Sequence, residues 1–570
     1  MKIEMARHSG FCMGVRNAVL KIVDELNSSD ENIFVYGPLI HNPQSVEVLK
    51  KRGLITINSL NEIKDKQIAI RTHGIPVSES REIRKKATRT INLTCSRVAR
   101  VQAIIKKYSR DGYFTIIVGD KDHAEVIGLK SYAGAGVFVV SHKDDIDLIP
   151  LSEKYIVVSQ TTHERAQFED IVNAIKKSFS NVNVIDTICD STRLRQDDVI
   201  EAIKKGIDTL VVVGGKNSAN TSRLAKIGID NGIKTFHIET DDELKTDDFK
   251  NSNYVLVTAG ASTPGWIINN VLEKLYTIKY SKSNVFTKVL KMYFEFLVRS
   301  NIISSIAAFI MVLIAQKFAG LQVEYKSGII ASLYIFIMYS VNNYFDRHFL
   351  IKSNSYKYGV YKKFGLLLLS LSIPAFFISL YLACTLSPLL MYTILFPYFF
   401  GLIYSAPFSK SIIKKINWKV FKKIYSSKVI TSFGWLVGVI YVPYFMQDVA
   451  VLKYAALALF FCLFIFLRNT IIDLVAFQGD LILGRDTLAT WLGIKKTSVF
   501  VTAATVFTAV FFTMVVVYFG QIGFLALLLA IGYYLLIFYK IIKTDYFISL
   551  KYEFIIEANY LILLILYFIL

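Results

Sequence analysis

The stretch Ser9-Gly10-Phe11-Cys12-Met13-Gly14-Val15-Arg16 has two counterparts further along the chain, Thr94-Cys95-Ser96-Arg97 and Ile188-Cys189-Asp190-Ser191-Thr192-Arg193. Each cysteine opens a helix-like run that carries arginine: Arg16, then Arg97 and Arg100, then Arg193 and Arg195. Similar strand-like runs lead into the last two, Ile91-Asn92-Leu93-Thr94 and Val184-Ile185-Asp186-Thr187. Beyond each cysteine lies a strand that ends in glycine and polar groups. These are Tyr36-Gly37-Pro38-Leu39-Ile40-His41, Val118-Gly119-Asp120-Lys121-Asp122-His123 and Val213-Gly214-Gly215-Lys216-Asn217-Ser218. Each unit then offers a second polar loop: Arg71-Thr72-His73-Gly74, Ser159-Gln160-Thr161-Thr162 and Thr258-Ala259-Gly260-Ala261-Ser262-Thr263.

The period is about 80–95 residues, which suits three small α/β units around a pseudo-threefold axis, a trefoil. Short apolar strands (Ile33–Tyr36, Thr115–Val118, Tyr155–Val158, Thr209–Val213, Tyr254–Thr258) alternate with helix-like stretches, as α/β architecture requires. Ligands of open α/β sheets gather at the carboxyl ends of strands, so three such ends facing one axis enclose a pocket.

Three equivalent cysteines on such an axis can hold three irons of a cubane cluster as thiolates and leave the fourth iron without a protein ligand. That iron is a Lewis acid on an electron store. A helix start and an arginine beside each sulfur favour the thiolate. Zinc fits less well, because this half has no C-x-x-C pair and no fourth cysteine. The loops bring His41, His73, His123, Thr161, Thr162, Ser218, Asn220 and Ser262, a donor set suited to a diphosphate. Glu125 is the one carboxylate among them and can deliver protons.

These motifs, with Thr187-Ile188-Cys189, Asn217-Ser218-Ala219-Asn220-Thr221 and Gly260-Ala261-Ser262-Thr263-Pro264, resemble the 4-hydroxy-3-methylbut-2-enyl diphosphate reductase (LytB) family, in order, across about residues 1–278. The resemblance implies a [4Fe–4S] cluster on Cys12, Cys95 and Cys189, a substrate hydroxyl at the open iron, and Glu125 as the proton relay. It implies that the histidines, Thr161, Thr162, Ser218, Asn220 and Ser262 hold the diphosphate and hydroxyl. It also implies reductive loss of the hydroxyl of an allylic diphosphate, giving isopentenyl and dimethylallyl diphosphate, with electrons from a ferredoxin or flavodoxin. The sequence departs from the family at Ala219 (usually serine), Ser96 (usually proline) and Gly265 (usually acidic). None of the three is a cluster ligand.

The 570 residues divide in character. Residues 1–285 carry 35 of the 45 acidic and 40 of the 65 basic side chains, and read as a soluble protein. The remainder carries 10 acidic and 25 basic residues and is strongly apolar. The start Met1-Lys2-Ile3-Glu4 has no secretory pattern, so the first half is expected in the cytoplasm. Five cysteines without such a pattern argue against a disulfide framework, and Cys384 and Cys462 read as packing residues. The net charge of +20 sits largely in short loops between apolar segments, which points to membrane orientation and away from nucleic acid.

Nine segments approach spanning length, at roughly 300–318, 327–342, 364–384, 387–407, 428–446, 452–468, 499–518, 521–539 and 553–570. The basic clusters around Arg347, Lys352, Lys357, Lys362 and Lys363, and from Lys410 to Lys428, fall in loops on one side. The expected organisation is therefore a cytoplasmic α/β unit (1–280), a linker (281–298) and an all-α polytopic domain (299–570) in the inner membrane.

Asn342-Asn343-x-x-Asp346, Tyr404-Ser405-Ala406-Pro407 and the run Gly479 to Leu488 resemble the UbiA-type intramembrane prenyltransferases over about residues 290–570. That resemblance implies Mg²⁺ on Asp346, Asp473 and Asp480 and a prenyl diphosphate substrate. The first motif has Asn343 and Leu350 where the family has carboxylates, so a catalytically silent membrane anchor is the alternative.

Overall fold

The computed structural model describes residues 1–28, 31–134, 136–281, 284–345, 355–405, 429–442, 450–483, 487–543 and 550–570. The chain divides into two units, Met1–Lys279 with Leu481–Gly484, and Tyr280–Asp480 with Arg485–Leu570.

The first unit holds twelve strands: β1 (Lys2–Met5), β2 (Ile33–Tyr36), β3 (Leu54–Ile57), β4 (Gln67–Ile70), β5 (Arg89–Asn92), β6 (Phe114–Val118), β7 (Val137–Val140), β8 (Tyr155–Ser159), β9 (Val182–Val184), β10 (Thr209–Val213), β11 (Lys234–Ile238) and β12 (Tyr254–Ala259). They form three four-stranded sheets, β3-β2-β4-β5, β7-β6-β8-β9 and β11-β10-β12-β1, with every pairing parallel. The N-terminal strand completes the third sheet, taking the place that β5 and β9 hold in the others. Parallel strands covered by helices on both faces are apolar throughout, as in β8 and β10, every residue of which is buried. Each such buried Val or Ile contributes about 1.5–3 kcal/mol, which fixes the central strands and hence the loops that leave them.

The strand order reverses between β2 and β4, between β6 and β8, and between β10 and β12. All the polar loops singled out in the sequence leave these six strands. The strands before Cys95 and Cys189 stop earlier than expected, at Asn92 and Val184. The Asn92 side chain accepts the N–H of Thr94 (3.0 Å), and the Asp186 side chain accepts that of Ile188 (2.9 Å). These local turns take the chain out of the ladder just before each cysteine.

The second unit is helical. Among the described residues, six helices are long and apolar enough to cross a membrane: Ile302–Ala319, Tyr325–Phe345, Lys357–Leu386, Val451–Ala476, Leu488–Tyr518 and Ile522–Ile542. At 1.5 Å per residue a span needs about 20 residues. The other three expected segments hold shorter helices among the described residues, two of them bordered by residues outside that set. Two are the shorter apolar helices Pro388–Ile403 and Thr431–Tyr441. The third, 553–570, breaks at Ala558 into Leu550–Glu557 and Asn559–Ile569. The basic loops 346–354 and 406–428 lie outside the described residues. The stretch expected as a linker is mostly helix, Val285–Arg299, capped by Asn284, whose side chain accepts the Thr287 N–H at 2.9 Å.

Candidate functional site

Each cysteine stands at a helix start: Cys12 before Met13–Ser28, Cys95 before Ser96–Arg110, Cys189 before Asp190–Lys204. Each is tied the same way to the loop of a neighbouring central strand. Cys12 N–H donates to Ala261 O (3.0 Å), Cys95 N–H to Thr72 O (2.9 Å), and Cys189 N–H to Thr161 O (2.9 Å). The sulfurs accept N–H groups of the first helical turn: Val15 for Cys12 at 3.4 Å, Arg97 and Val98 for Cys95, Ser191 and Thr192 for Cys189. Burial nevertheless pushes the Cys95 and Cys189 thiols up, with the amides pulling the other way. The expected thiolate preference therefore does not follow from the helix starts alone; bound iron would tip the balance.

One cavity is lined by all three cysteines together with His41, His73, His123, Glu125, Thr161, Thr162, Ser218, Asn220 and Ser262. Every site residue named from the first half of the sequence is thus in one place. The three imidazoles face one another, with ring centroids 4.6 Å (His41–His73), 5.6 Å (His73–His123) and 6.2 Å (His41–His123) apart. Burial holds all three below the ordinary histidine range: His41 with help from Arg71, His73 far below it, His123 at about 4. Burial thus favours the neutral form of each. Their nitrogens lie within 4.8 Å of one another, close enough to suggest a metal. However, His123 Nδ1 accepts the Glu125 N–H (3.2 Å), which puts the proton of the neutral ring on Nε2. That tautomer makes Nε2 a hydrogen-bond donor.

Glu125 is 1% exposed. Thr161 spends both its donors on it: N–H to Oε1 at 2.7 Å and hydroxyl to Oε2 at 2.8 Å. Burial raises the Glu125 carboxyl above the usual range against these two bonds, as a proton donor requires. Asn220 is buried, and neither atom of its amide has a partner among the described residues. Ser262 donates to His41 O at 3.0 Å and fixes that loop.

Some supporting residues gave no signal in the sequence pattern. Arg223, on a helix face, donates to Thr162 O and pairs with Asp120 at 2.8 Å, joining two loops of the cavity. Gln160 Oε1 accepts the Asp120 N–H at 3.0 Å, and its Nε2 donates to Thr162 Oγ1 at 2.9 Å. Long-range polar ties of this kind have no periodicity to read.

The family model described as LytB protein matches residues 3–276. A 4-hydroxy-3-methylbut-2-enyl diphosphate reductase of Alkaliphilus oremlandii is 36% identical over 277 residues, 48% of this chain and 99% of that protein. The Aquifex aeolicus enzyme of the same name is 38% identical over 280 residues, 48% of this chain and 96% of its own. This chain belongs to the LytB family. A solved (E)-4-hydroxy-3-methyl-but-2-enyl diphosphate reductase aligns over 49% of this chain and all of its own, at 38% identity and a TM-score of 0.39.

An iron–sulfur cluster is a general feature of LytB enzymes, and the geometry fits one. A Cβ built on Gly14 would stand 2.5 Å from Cys95 Sγ and 3.8 Å from Cys12 Sγ. Only glycine at position 14 lets the first helix approach Cys95 Sγ this closely and bring Cys12 and Cys95 onto one cavity.

In the second unit Asp473 is 4% exposed within the 33-residue helix Val451–Leu483. Asp346 and the side chain of Asp480 lie outside the described residues. Asn343, beside Asp346 in sequence, donates to Tyr361 Oη at 3.2 Å.

Proposed function

We propose that the chain reduces 4-hydroxy-3-methylbut-2-enyl diphosphate to isopentenyl and dimethylallyl diphosphate at the cavity of its first unit. In balance, the allylic alcohol takes up two electrons and two protons, the carbon–oxygen bond breaks, and the hydroxyl leaves as water. The observation that carries this reading is the convergence of three helix-start cysteines, three neutral histidines and one buried carboxyl on a single cavity. Cys12, Cys95 and Cys189 would hold a [4Fe–4S] cluster. When bound, that group supplies stored electrons and an iron without a protein ligand. A ferredoxin- or flavodoxin-type protein would refill it.

The residues around it divide the remaining work. His41, His73 and His123 donate N–H groups to the diphosphate, helped by Ser218, Asn220 and Thr162, and by Ser262 once its hydroxyl leaves His41 O. The Asn220 amide, unpartnered among the described residues, becomes satisfied only when a ligand enters. Glu125, whose hold on its proton is strengthened by burial, gives that proton to the departing hydroxyl or the carbon. Thr161 aims it. Glu125→Gln should therefore keep iron and substrate binding but lose roughly 10²-fold or more in turnover. Near wild-type turnover in this variant would assign the acid elsewhere.

In this reading the second half embeds the chain in the inner membrane, with nine crossings and the first unit on the cytoplasmic face, the side of the basic loops. A second reading adds Mg²⁺-dependent prenyl transfer on Asp346, Asp473 and Asp480. It starts from Asp473, a carboxylate buried on the helix that also carries Asp480; a carboxylate in an apolar helix needs a compensating partner, and a bound Mg²⁺ is one such partner. The double variant Asp473→Asn, Asp480→Asn should abolish Mg²⁺-dependent prenyl diphosphate binding and leave the reductase intact. If the wild-type chain shows no such binding, the second half is an anchor.

A further inference from the structure

Three cysteines from distant parts of the chain can share one cluster only if something fixes the spacing between them. Each cysteine is tied by its own N–H to a loop of one sheet. Those bonds do not set the distances between cysteines. The Cys12–Cys95 edge is set by direct approach, because the bare Gly14 Cα lets the first helix close onto Cys95 Sγ. The Cys95–Cys189 edge is spanned by Arg97 and Asp190 at 2.7 Å, a pair whose side chains are 40% and 56% exposed. Pairs that exposed typically contribute little.

The Cys189–Cys12 edge is built differently. Arg195 is buried, 4% exposed, on the helix that Cys189 opens. Its guanidinium donates to Gly10 O at 2.5 Å, two residues before Cys12, and to Ser191 O at 2.7 Å, two residues after Cys189. The N–H of Ser191 is itself one of the donors to the Cys189 sulfur. Gly10 has a positive φ of 83°, so the carbonyl that Arg195 holds sits at a turn glycine favours. One planar group therefore grips the backbone on both sides of this edge, across 185 positions of sequence.

We propose that Arg195 is a positioning residue for the cluster, setting the separation of Cys189 and Cys12. The role rests on the reading of the three cysteines as cluster ligands. A fork with fixed geometry reaches two carbonyls at a fixed spacing. An ammonium is a single point and grips them without that geometry. Loosening this edge frees Cys12 and Cys189 to move apart, so the three iron–sulfur bonds are no longer equally good in every molecule.

The test uses full-length protein, purified and reconstituted anaerobically. Wild type, Arg195→Lys, Arg195→Gln and the control Arg89→Gln are compared. The control removes an ion pair with Glu25 that does not border the cavity. The readouts are iron per chain, the electron paramagnetic resonance line shape of the reduced cluster, and the rate of iron loss to a chelator. Arg195→Lys is expected to fold, shown by an unchanged circular dichroism spectrum. It should lose iron roughly tenfold faster than wild type and give a broadened resonance, with Arg195→Gln worse and Arg89→Gln like wild type. A lower melting temperature with unchanged line shape and iron-loss rate in Arg195→Lys would reduce the residue to ordinary packing and overturn the proposal. Wild type that takes up no iron would instead defeat the cluster reading on which the proposal rests.

Discussion

Thr161→Val separates the two bonds that aim Glu125. The substitution is nearly isosteric. It keeps the Thr161 N–H on Oε1 (2.7 Å) and removes the hydroxyl from Oε2 (2.8 Å). Both bonds favour the ionised carboxylate, whereas burial, the larger effect, favours the neutral acid. A hydrogen bond to a charged group is worth about 1.5–3 kcal/mol, and each 1.36 kcal/mol is a factor of ten in proton affinity. Losing one should raise the proton affinity of Glu125 by roughly ten- to a hundredfold. The sign follows from its role. A general acid must be protonated, so kcat falls as pH rises through its pKa, and Thr161→Val should move that alkaline limb to higher pH. The assay is the pH profile of kcat with the diphosphate substrate and a chemical reductant, so that no protein donor contributes its own titration. If the limb stays where it is in wild type, either Glu125 is not the acid or the hydroxyl does not act on it.

Two further outcomes concern the first unit. Gly14→Ala places a methyl group 2.5 Å from Cys95 Sγ, so reconstituted protein should hold much less iron, with its circular dichroism little changed. His123 and His163 are buried neutral, each held at about 4 instead of the ordinary 6.5, mainly by desolvation. The unfolded chain therefore binds more protons between those values. The stabilisation is present above about pH 6.5 and is lost as pH falls toward 4, on the order of 1.4 kcal/mol per pH unit for each histidine. Denaturant midpoints of the first unit's transition across that range measure it, and replacing His163 with Asn should flatten the slope.

The repeat of cysteine, glycine-ended strand and polar loop carried most of the first unit, because a parallel sheet writes its strands as apolar runs and its ligand loops as polar breaks. Val213-Gly214 and Ile70-Arg71 are legible for that reason. The exact ends were less so, since Asn92 and Asp186 stop their strands through side-chain bonds that compete with the ladder. Arg223 and Arg195 show the limit more sharply. Arg223 carries no signal in the sequence and Arg195 reads only as a charge near a sulfur, whereas their importance lies in which carbonyls they meet after folding. Thr161 was read as a substrate contact, and in the fold its donors go to Glu125. In the second unit hydropathy marks apolar segments well but not helix continuity. The break at Ala558 lies between Glu557 and Asn559, two polar residues inside an otherwise apolar run.

The central claim is that Cys12, Cys95 and Cys189 together hold a cluster in this cavity. The most direct measurement is iron per chain, with Mössbauer spectra, on full-length protein reconstituted anaerobically, beside the triple variant of these cysteines to serine. The account predicts about four irons per chain in the wild type, with one iron spectrally distinct because it lacks a thiolate, and almost none in the variant. Full iron occupancy in the triple variant would contradict it.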